Sequence, residues 1–175
     1  YLANYFATDY GENYLAAHTI LLNIWVFSFF FIDGFSNAGN AIAGKLLGAN
    51  DYLNLRIMLK DIVRMNLIVA GVLASIFLCL YPFLGDVFSN QEVVIDYFNQ
   101  TFWVLIVAQF INSITFTYDG VFKGLGETAY LRNTLFIASF LVFAPSVFLL
   151  DFFGFKMYAI WISFILWNLF RGLSL

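Results

Sequence analysis

The chain has 175 residues, of which 62% are hydrophobic, 21% aromatic and 11% charged, with a formal net charge of -3; soluble domains carry roughly 25% charged residues. No water-soluble fold of this length could hide so much apolar surface, and the negative balance, without a basic patch interleaved with stacking aromatics, excludes a nucleic-acid partner. The long apolar runs read as an all-α, polytopic transmembrane helix bundle whose first partner is the lipid bilayer, because barrel strands would alternate every second residue.

Residues 1–8 read as the end of a preceding helix, and DYGEN at 9–13 as a short acidic turn. A first span covers about 14–47. Its apolar part ends at Ile32, and Asp33 lies about 28 Å past Tyr14 on a helix rising 1.5 Å per residue, close to one bilayer core. The stretch FIDGFSNAGNAIAGKLLGAND at 31–51 then brings a carboxylate, a run of small residues and a lysine. In lipid, helices associate through close packing rather than hydrophobic drive. Gly34, Gly39, Gly44 and Gly48 are therefore expected to form a packing seam. Gly48 to Asp51 is a turn in which Asn50 or Asp51 caps the next helix.

Arg56, Lys60 and Arg64 recur every fourth residue and give that helix one basic face. A second span covers about 67–84, ending near Tyr81 and Pro82, and 85–99 reads as a second acidic connector. A third covers about 101–118 and ends at Asp119-Gly120; Gly120 and Gly124 extend the small-residue seam. The turn VFKGLGETAYLRN carries Lys123 and Arg132. A fourth span, about 134–150, contains Pro145 and should kink there, since proline removes a ladder bond and clashes with the preceding turn. A tight connector at 151–155 leads to a fifth span, about 156–170, followed by Arg171. Tyr1 opens inside an apolar segment and the chain stops soon after its last span, so both ends read as cuts in a larger membrane protein.

Five spans joined by short connectors alternate in direction. One rim then collects Lys45, Arg56, Lys60, Arg64, Lys123, Arg132 and Arg171, while the other holds Lys156. The positive-inside rule makes the first rim cytoplasmic.

The first and third spans run outward to inward and each ends in Asp-Gly, which places Asp33 and Asp119 at nearly one depth. Either they line a polar cavity and hold a proton, a cation or a cationic solute, or they sit at the headgroup boundary beside Lys123 or Lys45. Further polar positions are Asn23, Ser28, Asn66, Thr115, Ser163 and Asn168. The third span is the most polar, and its Gln109, Asn112 and Ser113 share one helical face as interhelical glue or as a solute pathway. His18 has no second histidine or cysteine cluster near it, so it is expected to bond a neighbour, with a minor role in pH sensing left open; no metal site and no cofactor are expected. Cys79 is alone and reads as packing. No nucleophile elbow, phosphate loop or paired-histidine motif is present, so no catalytic residue is proposed and the chain is not read as an enzyme.

Three stretches, LAAHTILLNIWVFSFFFIDGFSNAGNAIAGKLLGAND, FTYDGVFKGLGETAYLRN and IWISFILWNLFRGLSL, resemble in order and spacing the second half of a multidrug and toxic compound extrusion (MATE) transporter of the DinF-like branch. The family's spans end in such Asp-Gly motifs, the first leading to G-x-x-x-G-A, here Gly44 to Ala49. The resemblance implies that residues 1–8 close helix seven of twelve and that the five spans are helices eight to twelve. It further implies a secondary antiporter that expels cationic or amphipathic compounds against protons or sodium ions, multi-pass in a bacterial inner membrane, with a missing N-terminal half as partner. Where sodium-coupled members place an acid midway down helix ten, this chain has Asn112 or Ser113, which favours proton coupling elsewhere. A flippase for a lipid-linked oligosaccharide would be expected to carry more basic residues in its cavity; in-span positive charges are missing here, which favours export of cations. A non-transporting structural subunit would leave the polar face of the third span unused.

Overall fold

A computed structural model describes residues 2–175, and Tyr1, expected at the end of a preceding helix, lies outside the described residues. The order is α1 (Leu2–Asp9), α2 (Glu12–Gly48), α3 (Tyr52–Phe88), α4 (Glu92–Gly124), α5 (Thr128–Ile137), a π-helical segment (Ala138–Phe143), α6 (Ala144–Phe152) and α7 (Met157–Ser174), with no strand among the described residues. Among the described residues, four stretches are long and apolar enough to cross a membrane: α2, α3, α4 and the continuous run Thr128–Phe152. The protein is a multi-pass membrane protein. At 37 residues, α2 and α3 are each about 55 Å long, well beyond a hydrocarbon core of roughly 30 Å. They therefore extend past it.

Side-chain pairs give the register. Tyr14 stacks on Tyr97 with ring centroids 3.9 Å apart, Gln109 reaches Ser28 and Gly124 abuts Asn40, so α2 and α4 run parallel. Gly85 against Ile95, Tyr81 against Phe102 and Asn66 against Thr117 make α3 antiparallel to both. Tyr158 bonding the Gln100 carbonyl and Arg171 pairing with Asp119 make α7 parallel to α4. Helix α4 is thus the central rod, packed by α2, α3 and α7. Arg56 and Arg132 consequently share a rim. At the opposite end Lys156 lies over the Tyr14 ring, 5.4 Å from its centroid, and the Tyr10 hydroxyl donates to Asp151. The apolar core fills the half of the bundle on that side, with Leu21, Phe98, Leu105, Ile160 and Trp161 buried together.

Several boundaries differ from the sequence expectation. The connector expected at 85–99 is helical apart from 89–91: α3 continues to Phe88 and α4 begins at Glu92. Pro82 does not end α3, which continues to Phe88. The turn after the third span shrinks to 125–127. Ahead of Pro145 the ladder widens into the π-helical segment, which gives room for a ring that would otherwise clash one turn back. Asp51, not Asn50, caps α3 by accepting from the Asn54 backbone N–H at 3.2 Å. Cys79, expected in packing, is exposed.

Candidate functional site

Glycine decides how α4 meets α2. A β-carbon at Gly120 would collide with the Ser36 carbonyl oxygen, and one at Gly124 with the Asn40 carbonyl oxygen and, at 2.9 Å, with the Ala43 methyl. Across the same line Gly39 faces Val121 at 3.3 Å and Gly44 faces the Gly124 carbonyl at 3.2 Å. These four glycines let two backbones touch along the inner half of the bundle. Gly34 and Gly48, expected in the same seam, have nothing within 4 Å of a β-carbon position among the described residues.

Above the seam lies a buried polar layer. Gln109 Nε2 donates to Ser28 Oγ at 2.6 Å, and Ser28 donates to the Ile24 carbonyl at 2.9 Å. Asn66 Nδ2 lies 2.9 Å from Thr117 Oγ1, 3.1 Å from the Ser113 carbonyl and 3.3 Å from the Ile32 carbonyl. One amide thus ties α3 to α2 and α4. Ser113 turns its own hydroxyl back to the Phe110 carbonyl at 2.8 Å, and Asn112 is buried with its Oδ1 unpartnered. Gln109 Oε1, Asn66 Oδ1 and Ser163 Oγ are likewise buried without a protein partner among the described residues. Gln109, Asn112 and Ser113 therefore meet different surroundings despite their shared helical spacing. Asn66→Ala is expected to cost about 2 kcal/mol, the scale for losing a buried amide that holds polar partners, read as a lowered unfolding temperature in detergent.

The two acids also differ. Asp119 is 8% exposed and Arg171 is 4% exposed, and they form the one ion pair among the described residues. Arg171 also donates from Nη1 to Asn168 Oδ1 at 3.1 Å. Its guanidinium lies 4.5 Å from the Trp167 ring centroid and 5.8 Å from that of Phe116. Thr115 Oγ1 closes the α4–α7 contact by donating to the Asn168 carbonyl at 2.9 Å. Asp33 is half-buried, accepts from Asn37 Nδ2 at 2.9 Å on its own helix, and has no cation within ion-pair distance among the described residues. It lies within electrostatic reach of Asp119, as does Lys123.

Sequence reasoning assigned Arg171 to the rim and counted no positive charge inside the spans; the structure buries it. A usable signal was Trp167, Asn168 and Arg171 at helical spacing of three and four, which put an aromatic face and an amide acceptor beside one guanidinium. His18, expected near the outer surface with a bonded neighbour, is fully buried, its Nε2 3.3 Å from Asn4 Oδ1. Trp161 meets its ring edge-on.

A family model described as MatE matches residues 1–149. Protein DETOXIFICATION 43 of Arabidopsis thaliana is 27% identical over 173 residues, covering 99% of this chain and 32% of that protein. DNA damage-inducible protein F of Escherichia coli K12 is 25% identical over 169 residues, covering 94% and 35%. The probable multidrug resistance protein NorM of Photorhabdus laumondii is 24% identical over 147 residues, covering 82% and 32%. The chain spans about a third of the length of these curated relatives.

Proposed function

We propose a transport function for this chain, which belongs to the MatE family: it forms one helical bundle of a secondary antiporter that exports cationic or amphipathic compounds in exchange for protons or sodium ions. The bundle is the C-terminal half of a twelve-helix protein of the bacterial inner membrane, and its partner is the N-terminal half. The substrate path runs between the halves, as alternating access requires.

The observation that carries the reading is the asymmetry of the two acids. Asp119 is neutralised by Arg171, whereas Asp33 is half-exposed and, among the described residues, has only the Asn37 amide bonded to it. A carboxylate at membrane depth without a cation of its own attracts one. A cationic solute and a proton cannot both occupy it, and that exclusion is what couples export of one to entry of the other. Asp119 keeps a distinct role in this reading, holding α7 against α4 as the bundle moves. Buried amide oxygens left unpartnered at Gln109 and Asn112 support a hydrated interior, since such groups call for water or an ion.

Transport of a fluorescent cation by the full-length protein in proton-loaded vesicles tests this. Asp33→Asn is expected to lower proton-linked export at least tenfold with little loss of unfolding temperature, whereas Asp119→Asn lowers both. Export by Asp33→Asn at the unaltered rate, at equal protein level, would remove Asp33 from the pathway.

A further inference from the structure

We infer that the inner half of α3 binds an anionic phospholipid, in a groove separate from the transport residues and independent of the transport reading. The groove encloses about 630 Å3 and is lined by Arg56, Leu59, Lys60, Val63, Arg64, Leu67 and Tyr118. Its lining resolves into two ridges. Arg56, Lys60 and Arg64 make a cationic ridge spanning about 12 Å, and Leu59, Val63 and Leu67 make an apolar ridge beside it, because positions four apart stack on a helix and positions three apart flank that stack. Tyr118 of α4 supplies the other wall.

No cation of this ridge is held in an ion pair within the described residues. All three are exposed. Asp61, the acid on this turn of α3, borders a different groove with Phe35, Ala38 and Met65. Like charges four apart on a helix repel, so the ridge calls for an anion. Its depth says which anion. Asn66 is bonded to the Ile32 carbonyl and to Thr117 Oγ1, which brings Arg64 close to the level of Asp33 and Asp119. The apolar ridge runs through Leu67 into the span while the cationic ridge runs the other way to the basic rim. A ligand that matches both has a phosphate head at the rim and an acyl chain directed into the bilayer. Anionic headgroups of the inner leaflet supply that chemistry, and each cation near such a surface is worth about fivefold in affinity.

The test is titration of the full-length protein in zwitterionic detergent with phosphatidylglycerol or phosphatidylcholine of identical chains, with retained lipid counted by native mass spectrometry. The wild type and Lys45→Gln, a control on the same rim outside the groove, are expected to retain phosphatidylglycerol preferentially. Arg64→Gln should weaken that preference about fivefold, and the triple variant Arg56→Gln, Lys60→Gln, Arg64→Gln at least tenfold, while Lys60→Arg keeps it. The unfolding temperature of each variant in the same detergent should match the wild type. Equal retention of the two lipids by the wild type overturns the inference. So does an Arg64→Gln protein with unaltered preference, or displacement of phosphatidylglycerol by equimolar inorganic phosphate, which would assign the ridge to a free anion. Cross-linking of an Arg64→Cys variant through that side chain to another part of the protein, in place of lipid, would equally overturn it.

Discussion

Arg171→Met is expected to destabilise the bundle by about 4 kcal/mol, the scale for removing one partner of a buried ion pair. The cost arises less from the lost attraction than from what remains. Asp119, 8% exposed, would keep a carboxylate between α4 and α7 with no guanidinium to neutralise it, and Asn168 Oδ1 would lose its donor. Arg171 also fills space between Trp167 and Phe116, which the unbranched methionine retains in part, so the loss is mainly electrostatic. Asp119→Leu should be as costly, because it strands the guanidinium. The double variant Asp119→Leu, Arg171→Met buries no charge and is expected to recover most of the loss. Unfolding temperatures of the four proteins in one detergent form a double-mutant cycle. Additive single losses would show that the two side chains act separately and would sink the assignment.

Gly120→Ala carries the second large effect, about 3 kcal/mol. The added methyl meets the Ser36 carbonyl oxygen, which belongs to the backbone of α2 and cannot swing aside as a side chain could. The two helices must separate, and the neighbouring contacts of Gly124 with Asn40 and of Gly39 with Val121 loosen with them. Gly34→Ala is the matched comparison. It sits on α2 with open space at the β-carbon position, so replacing a flexible residue within a helix should raise stability by about 0.5–1 kcal/mol. Opposite signs at Gly120 and Gly34 would establish that the seam follows contact rather than the mere presence of glycine. Equal shifts would argue that α2 and α4 do not touch at Ser36.

The same two glycines show how far a one-dimensional reading reaches. FIDGFSNAGNAIAG identifies α2 as a helix built for close approach, because small residues at that density have little other use in lipid. It does not say which of them meet a neighbour. Contact depends on the rotation of α2 about its axis, and that rotation is set by α4, whose sequence begins more than 40 residues further along the chain. Gln109, Asn112 and Ser113 teach the same lesson. Their helical spacing is plain, yet one bonds α2, one keeps an unpartnered oxygen and one turns back on its own helix.

From its sequence alone the protein was determined to be an all-α bundle threaded through a bilayer, with most of its cations gathered on one rim and two acids at similar depth. Those properties depend on hydropathy, charge and spacing along the chain, and lipid enforces them locally, since each apolar run must span and each backbone bond must close within its own helix. The tertiary structure alone decided that Asp119 belongs to Arg171 while Asp33 stands without a cation among the described residues, and that Asn66 fastens three helices at once. Pairing of that kind is set by helix rotation and register, and these arise from contacts between residues far apart in the chain.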